Sequence, residues 1–571
     1  MNPSRRTVYS VSTLHRHQGG LRRLDFFVDR LERWTGIRVP QEISVAIYGW
    51  QQGAIALPLA LLGYRVTVVE DDEKRIAEAR AVSAEMGYEI QITSTKKNRL
   101  GEGMYDVIIV DGHGLKASSV DVILEYAKGS FHHKGERESG LFLVSFPRRD
   151  SSKNWNDLQA NTRRAGWRLK DAITGTALIP ALVELWPLRW ASSWLCELEV
   201  YDSSKPFVLH LMPTLGLGGA ERLVYELTAR LPSRGFDVKT VAIMDGGPLE
   251  RFYRDRSLPL EVIYRRDALG LGMFTQLVRL FFIQRPDIVH THLFGADAWG
   301  RLAAFWQRVP VVISTEHNVN PGYGFIKHVV NWLFAKKTTA FIAISEAVKE
   351  VMIKKEHVPS KKIHVIRNGI DLVSVLSRGT RPFHDVPRLL VTGRLYPQKD
   401  HETLLKALAK IKRPWFLKIA GTGPLERELR ALTERLHIAS RVEWLGVRED
   451  IPQLLADADI FCFPSRWEGL GLGVLEAAAA GVPVVTSDLP PIREVLRSSE
   501  VTYVAPGDVA AWIHALEAIL TDPTSAITKA SRALPRVHSQ ISIETMVDGY
   551  AKLYREALGK MRQGDKLVNR V

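Results

Sequence analysis

Strands buried in a parallel sheet are apolar on both faces, and this chain repeats such runs at intervals filled by helical stretches. In the first two hundred residues they read EISVAIYG, RVTVVE, YDVIIVDG and GLFLVSF, and the unit ends near CELEVYD. Ahead of them Leu21, Leu24, Phe27 and Leu31 recur at helical spacing. A second series runs PFVLHLMP, DVKTVAIM, DIVHTH, VVISTEH, AFIAIS and IHVIRNGID. A third runs PRLLVTGRL, WFLKIAG, RVEWLG, DIFCFPS, PVVTSD and VTYVAPG. The pattern predicts an α/β protein of three doubly wound units, each around a parallel sheet. The polar piece Ser203–Lys205 closes the first unit (1–203), and a composition shift across Leu376–Pro387 parts residues 206–378 from 379–542. The last dozen residues, KMRQGDKLVNRV, read as a frayed basic tail.

Composition narrows the function classes. Two cysteines among 571 residues, Cys196 and Cys462, exclude a disulfide framework and a cysteine zinc site. The first twenty residues contain no apolar signal core, so a cytoplasmic location is expected. The longest apolar candidate for a span, Ala177–Leu195, is broken by Glu184, Arg189 and two prolines. Net charge is +14, with 27 basic and 24 acidic residues up to residue 200 against 50 and 39 beyond it. That excess suits a phosphorylated substrate or an anionic membrane face, and no nucleic-acid motif accompanies it.

Open α/β sheets bind ligands beyond the carboxyl ends of their strands, and several post-strand loops here are chemically loaded. TLGLGGAERL, with Gly218 and Gly219, is a glycine turn opening a helix; it can receive a phosphate or simply supply a tight turn. In GRLYPQKD, Arg394 and Lys399 can clamp a diphosphate or lie solvated on the surface. His292 and His317 end strands, and Gly421 opens another turn, GTGP. In SRWEGLGLGVLEAAAAGVPVV, Glu468 lies in a loop and Glu476 on the first turns of a helix. Gly469 and Gly471 between them allow close backbone approach, so both carboxylates can accept hydrogen bonds from vicinal hydroxyls. Favourable placement of an acid at a helix N-terminus explains Glu476 but not Glu468 or the glycines. A nucleotide sugar offers vicinal hydroxyls at both ends and a diphosphate between them.

These segments, with AISE, VIRNGID and VEWLG, make residues 206 to about 560 resemble a family-4 retaining glycosyltransferase with the GT-B fold, two facing Rossmann-like domains around a cleft. Glu468 and Glu476 fall on that family's E-x7-E pattern. The resemblance implies that Gly218, Gly219 and Gly421 border the donor and that Arg394 and Lys399 neutralise the leaving diphosphate. Glu468 and the backbone of Leu470, Gly471 and Leu472 would hold the transferred sugar, Glu476 the ribose, and His317 would face the reacting centre. It also implies retention at the anomeric carbon, no metal, and a C-terminal helix (543–571) crossing back to the N-terminal half. The acceptor would be a glycan or a lipid-linked sugar in cell-surface polysaccharide or glycolipid assembly.

Residues 21–200 resemble a class I S-adenosylmethionine-dependent methyltransferase. The resemblance places Gly49 and Gly53 in the cofactor loop and Glu70 on ribose. Ile47 stands where that family has an acid, Gln51 where it has a glycine, and Trp50 adds bulk. Two readings stand: a cofactor-binding domain, making the chain bifunctional, or a degenerate docking domain. A non-catalytic nucleotide-sugar-binding scaffold is a third. Trp186, Trp190 and Trp194 recur at i, i+4 and i+8, as a core face of a helix or a peripheral contact with membrane or partner. Gly324–Lys337, aromatic and basic, suits either an anionic membrane face or a buried helix with solvated lysines.

Overall fold

The computed structural model describes residues 44–48, 56–61, 64–86, 90–93, 107–111, 141–147, 167–174, 193–200, 204–263, 271–318, 325–379 and 381–568. Gly49, Trp50, Gln51, Gly53, the amphipathic segment from Leu21, Trp186 and Trp190 lie outside them. The chain divides into two compact units, one within residues 1–205 and 274–285, the other within 206–273 and 286–571.

The first unit holds β1 (Ser44–Tyr48), β2 (Arg65–Val69), β3 (Ile90–Thr93), β4 (Val107–Asp111), β5 (Leu141–Pro147), β6 (Trp167–Thr174) and β7 (Ser193–Val200). They form one sheet in the order β3-β2-β1-β4-β5-β7-β6. Strands β1 to β5 pair in parallel, whereas β7 runs antiparallel to both β5 and β6. The expectation of a wholly parallel sheet is therefore corrected at this edge. Antiparallel neighbours need no crossover helix, and β6 interleaves Arg168, Lys170 and Asp171 with apolar residues, so it carries no buried-strand signature. Trp194 lies on β7, not on a helix, so the predicted three-tryptophan helical face does not form. Val45, Ile47, Val66, Val68 and Ile109 pack with Ala56 and Leu59 as the core.

The second unit has two parallel sheets. The first contains β8 (Phe207–Met212), β9 (Asp237–Ala242), β10 (Leu260–Val262), β11 (Ile288–His292), β12 (Val311–Glu316), β13 (Ala340–Ala343) and β14 (Ile363–Val365), ordered β10-β9-β8-β11-β12-β13-β14. The second contains β15 (Arg388–Thr392), β16 (Phe416–Ala420), β17 (Val442–Gly446), β18 (Ile460–Phe463), β19 (Val484–Ser487) and β20 (Thr502–Val504), ordered β17-β16-β15-β18-β19-β20. Strand order reverses between β8 and β11 and again between β15 and β18. At such switch points the loops leaving adjacent strands part in opposite directions and open a crevice.

The helix Ile543–Val568 leaves the second sheet's half and packs on the first. Met546, Val547, Tyr550, Leu553 and Tyr554 recur at helical spacing and are buried with Val208, Leu223, Ile288 and Ile313. Each such side chain contributes about 1.5–3 kcal/mol of burial, so the packing fastens the halves together. The helix runs to Val568, through most of the segment expected to fray. At the crossing, Ile370 N–H donates to the Ile541 carbonyl (2.9 Å) and Ile543 N–H to the Ile370 carbonyl (3.0 Å).

Candidate active site

Two loops leaving the adjacent strands β15 and β18 supply most of the predicted residues. The loop after β15 is laid against the turn after β16: Gly393 N–H donates to the Ala420 carbonyl and Leu395 N–H to that of Thr422, each at 2.9 Å. Gly421 sits at φ +148°, where a Cβ would stand 1.9 Å from the Gly393 carbonyl oxygen, so no other residue fits. Lys399 ends a short 3-10 turn, Pro397–Lys399. The two loops are then joined directly. Arg466 N–H donates to the Gln398 carbonyl (2.8 Å), Gln398 Nε2 to the Trp467 carbonyl (2.9 Å), and Arg466 Nε meets Asp400 at 3.0 Å.

That stitching sets Lys399 Nζ 2.6 Å from Glu468 Oε1, with the ammonium 4.8 Å from the centroid of the Phe463 ring. Glu468 is 9% exposed, so both charges are held largely out of water. A charge-assisted bond in such a place is geometrically firm. Beyond Glu468, Leu470 is buried and Gly471 adopts φ +83° as the residue before the helix Leu472–Ala479. The first amide groups of that helix have no intrahelical acceptor, and such an end can receive an anion or a hydroxyl.

Residues of the first sheet close the other side. Gly218 precedes the helix Gly219–Arg230, and a Cβ on Gly219 would lie 3.0 Å from Leu472 Cδ1. Arg222 Nη1 stands 3.7 Å from Glu476 Oε1. Burial lifts the Glu476 carboxyl above its ordinary range, and the Arg222 charge opposes that shift. Burial also raises Glu221, against the pull of its own backbone amide and then of Arg394. Adjacent residues of one helix thus face Arg394 and Glu476 with opposite signs. Arg394 itself is exposed, its guanidinium 5.2 Å from the centroid of the Tyr396 ring.

His317 follows β12, 9% exposed, and its carbonyl oxygen lies where a Gly469 Cβ would come within 2.1 Å. Ser345 Oγ donates to the Gly469 carbonyl at 2.7 Å and also caps the helix Glu346–Lys354. Behind His317 runs a file of imidazoles: His317 Nε2 to His292 Nδ1 at 3.1 Å, and His292 Nε2 to His210 Nδ1 at 3.0 Å. His290 bonds Tyr554 Oη (2.5 Å) and Thr315 Oγ1 (2.7 Å). Nitrogens of His210, His290 and His292 lie within 4.8 Å of one another, a metal-like spacing. His210 and His292 bond to each other, and His290 bonds Tyr554 and Thr315, so most of these nitrogens are already engaged in hydrogen bonds. Burial holds His210 down to about 3 and keeps His290 and His292 well below the usual imidazole range.

The second unit therefore brings Arg394, Lys399, Glu468, Glu476, Leu470, Gly471, Leu472, Gly421, Gly219 and His317 onto loops that meet. Glu70 belongs to the first unit, at the carboxyl end of β2, where Oε1 accepts the amides of Asp71 (3.0 Å) and Asp72 (3.1 Å) and Oε2 faces Arg75. Glu221 and Arg222 of GGAERL and Ser345 of AISE are not among the residues expected from the sequence. Their position beside a glycine turn and after a strand was the available signal.

Residues 217–374 match the family model for glycosyltransferase family 4, and residues 386–522 that for glycosyl transferases group 1. The chain is 28% identical over 376 residues to a UDP-Gal:alpha-D-GlcNAc-diphosphoundecaprenol alpha-1,3-galactosyltransferase of Escherichia coli, covering 61% of this chain and 95% of that protein. It is likewise 28% identical over 391 residues to a glycogen synthase of Mycobacterium tuberculosis, covering 62% and 94%. Among solved structures, Anabaena Alr3699/HepE in complex with UDP and glucose superposes with a TM-score of 0.57 at 22% identity, over 62% of this chain and 100% of that one. With both halves of the second unit matched by glycosyltransferase models and relatives aligned along nearly their whole length, this chain is a family-4-like glycosyltransferase.

Proposed function

We propose that the second unit moves a sugar, with retention, from a nucleoside-diphosphate sugar to a lipid-linked or glycan acceptor in cell-surface polysaccharide or glycolipid assembly. The observation that carries this reading is the Lys399–Glu468 contact of 2.6 Å at the switch point between β15 and β18. An ammonium has three hydrogens and a carboxylate about four acceptor positions, so the pair can stay bonded while each holds a donor atom. Lys399 takes a phosphate oxygen together with Arg394, and the charge that grows on the leaving diphosphate meets two fixed cations. Those cations do the work a divalent metal would do, so no metal is needed. Glu468 and the amides after Leu470 hold the sugar, Glu476 the ribose, and Gly218, Gly219 and Gly421 line the diphosphate path. Expulsion of the diphosphate and entry of the acceptor from the same face give retention.

The E. coli relative's name specifies a UDP-sugar and a diphosphoundecaprenol acceptor, and that of the M. tuberculosis relative a glycan product. UDP-sugars therefore head the donor panel, and both acceptor classes belong in it. A lipid-linked acceptor agrees with the helix Phe325–Ala335, where Trp332 and Leu333 are 57% and 55% exposed beside exposed Lys336 and Lys337. Among the described residues no helix is long and apolar enough to cross a membrane, so such contact would be peripheral. Purified chain is offered a panel of nucleotide sugars with each acceptor, and release of nucleoside diphosphate is recorded. Release from one donor, dependent on acceptor, is expected; none from any donor overturns the reading.

For the first unit we propose a methyltransferase-like domain without methyl transfer, in keeping with its parallel core of β1 to β5 and Glu70 at the end of β2. Calorimetry of the full chain with S-adenosylmethionine tests this, and saturable micromolar binding would favour the bifunctional reading.

A further inference from the structure

Glu221 is the third residue of the helix Gly219–Arg230, and nothing in the transfer described above assigns it a task. Its carboxylate folds back over the glycine turn that opens the helix. A Cβ on Gly218 would stand 2.4 Å from its Oε2, and one on Gly216 3.4 Å from its Oε1. There it is held by its own backbone amide and by the charge of Arg394, on the loop after β15. The other charges around the turn are already engaged. Arg222 faces Glu476 of the helix Leu472–Ala479 (3.7 Å), Lys399 is bonded to Glu468 (2.6 Å), and Glu250 accepts the Gly247 amide (2.8 Å). An anion of the chain itself thus occupies the turn beside Arg394, where the donor's diphosphate would also lie. Two like charges a few ångströms apart in a half-buried crevice repel strongly. A diphosphate diester stays ionised near neutrality, so the carboxyl is the group that can yield. Ionised, it only accepts hydrogen bonds; protonated, it donates one.

We propose that Glu221 is a donor-binding residue with two working forms: a carboxylate that holds the glycine turn and Arg394 in the free enzyme, and, after taking one proton from solvent, an acid whose hydroxyl donates to a diphosphate oxygen in the complex. The proposal rests on the reading of Gly218 and Gly219 as part of the diphosphate path. Burial already lifts the free carboxyl above its ordinary range, against the pull of its own amide and of Arg394. A diphosphate beside it lifts it further, so the complex binds the proton more tightly than the free enzyme does. Affinity for the donor is therefore fullest below the free carboxyl's value and falls as pH climbs from there toward the bound one. Glu476, also raised by burial, titrates in the same crevice, and only a change at Glu221 separates the two.

The test counts protons. Full-length protein is titrated by calorimetry with the nucleotide sugar that the donor panel selects, at about pH 6 to about pH 8, in buffers of different ionisation enthalpy. Wild type should take up a proton as it binds, in an amount approaching about one, and Glu221→Gln should lose most of that uptake. The glutamine amide donates at every pH, so Glu221→Gln should bind the donor about threefold or more tighter than wild type at pH 8 and about equally at pH 6. Glu221→Ala should lose the same uptake without the tighter binding, and it reads the proton count should Glu221→Gln not fold. Equal uptake in wild type and variant, or weaker donor binding by Glu221→Gln at pH 8, overturns the proposal. Binding without proton uptake in the wild type defeats this proposal alone. Binding of no nucleotide sugar at all defeats the functional reading and the proposal with it.

Discussion

At the scale of single residues, the four charged side chains proposed to hold the donor sit in different environments. Lys399 is held in place by Glu468, so on the proposed reading Lys399→Ala removes one of the two cations that meet the leaving group. We expect kcat to fall about tenfold or more, measured as nucleoside diphosphate released under saturating donor. Glu476 is different, because burial raises its carboxyl. Its ionised form therefore destabilises the fold once pH exceeds the ordinary carboxylate value, and the protonated form does not. Glu476→Gln should melt at a slightly higher temperature at pH 8, with the gain vanishing below about pH 4. The same variant should bind donor more weakly. A group retained at a cost to stability is better explained by a ligand than by packing.

At the scale of elements, the site depends on backbones that touch. A side chain at Gly421 would collide with the Gly393 carbonyl, 1.9 Å away, and φ +148° is closed to other residues. Gly421→Ala should push the β16 turn off the Arg394–Lys399 loop and weaken donor binding about tenfold or more by calorimetry. Gly369 is the matching constraint at the crossing, where a Cβ would lie 2.4 Å from Ile543 Cα. Gly369→Ala should cost about 1–3 kcal/mol in denaturant melts while the donor loops keep their shape. The halves also meet at a helix end: Glu494 accepts the amides of Glu346 (2.9 Å) and Ala347 (2.8 Å), so a carboxylate from one half caps a helix of the other.

At the scale of the molecule, buried neutral histidines tie stability to pH. His210 and His401 are held down to about 3 and about 4 by burial, and His290 and His292 also lie well below the ordinary value. Unfolded, all four bind protons below about pH 6.5; folded, they do not. Stability present above that pH is therefore lost as pH falls toward about 4. Denaturant melts between pH 8 and 4 should show a slope approaching about 1.4 kcal/mol per pH unit for each extra proton bound. Metal plays no part in the proposed transfer, so turnover should survive a chelator unchanged; loss of activity restored by a divalent cation would refute that reading.

The second unit was legible because its strands are buried on both faces and its loops follow strand ends, two facts written locally in the residues. The spacing of Glu468 and Glu476 and the cations of GRLYPQKD likewise pointed to one crevice. Strand β6 was not legible, since its alternating charges give no sign that β7 will pair with it. Nor was the histidine file: His210 and His292 lie on β8 and β11 and His317 just after β12, and only the order β8-β11-β12 brings them together. Sequence alone determined which elements form and which chemistry their loops carry, because hydrophobic burial and backbone preference act over a few residues. Tertiary structure alone decided which side chains meet, because contacts such as Lys399 with Glu468 depend on strand order and on loops joined across dozens of residues.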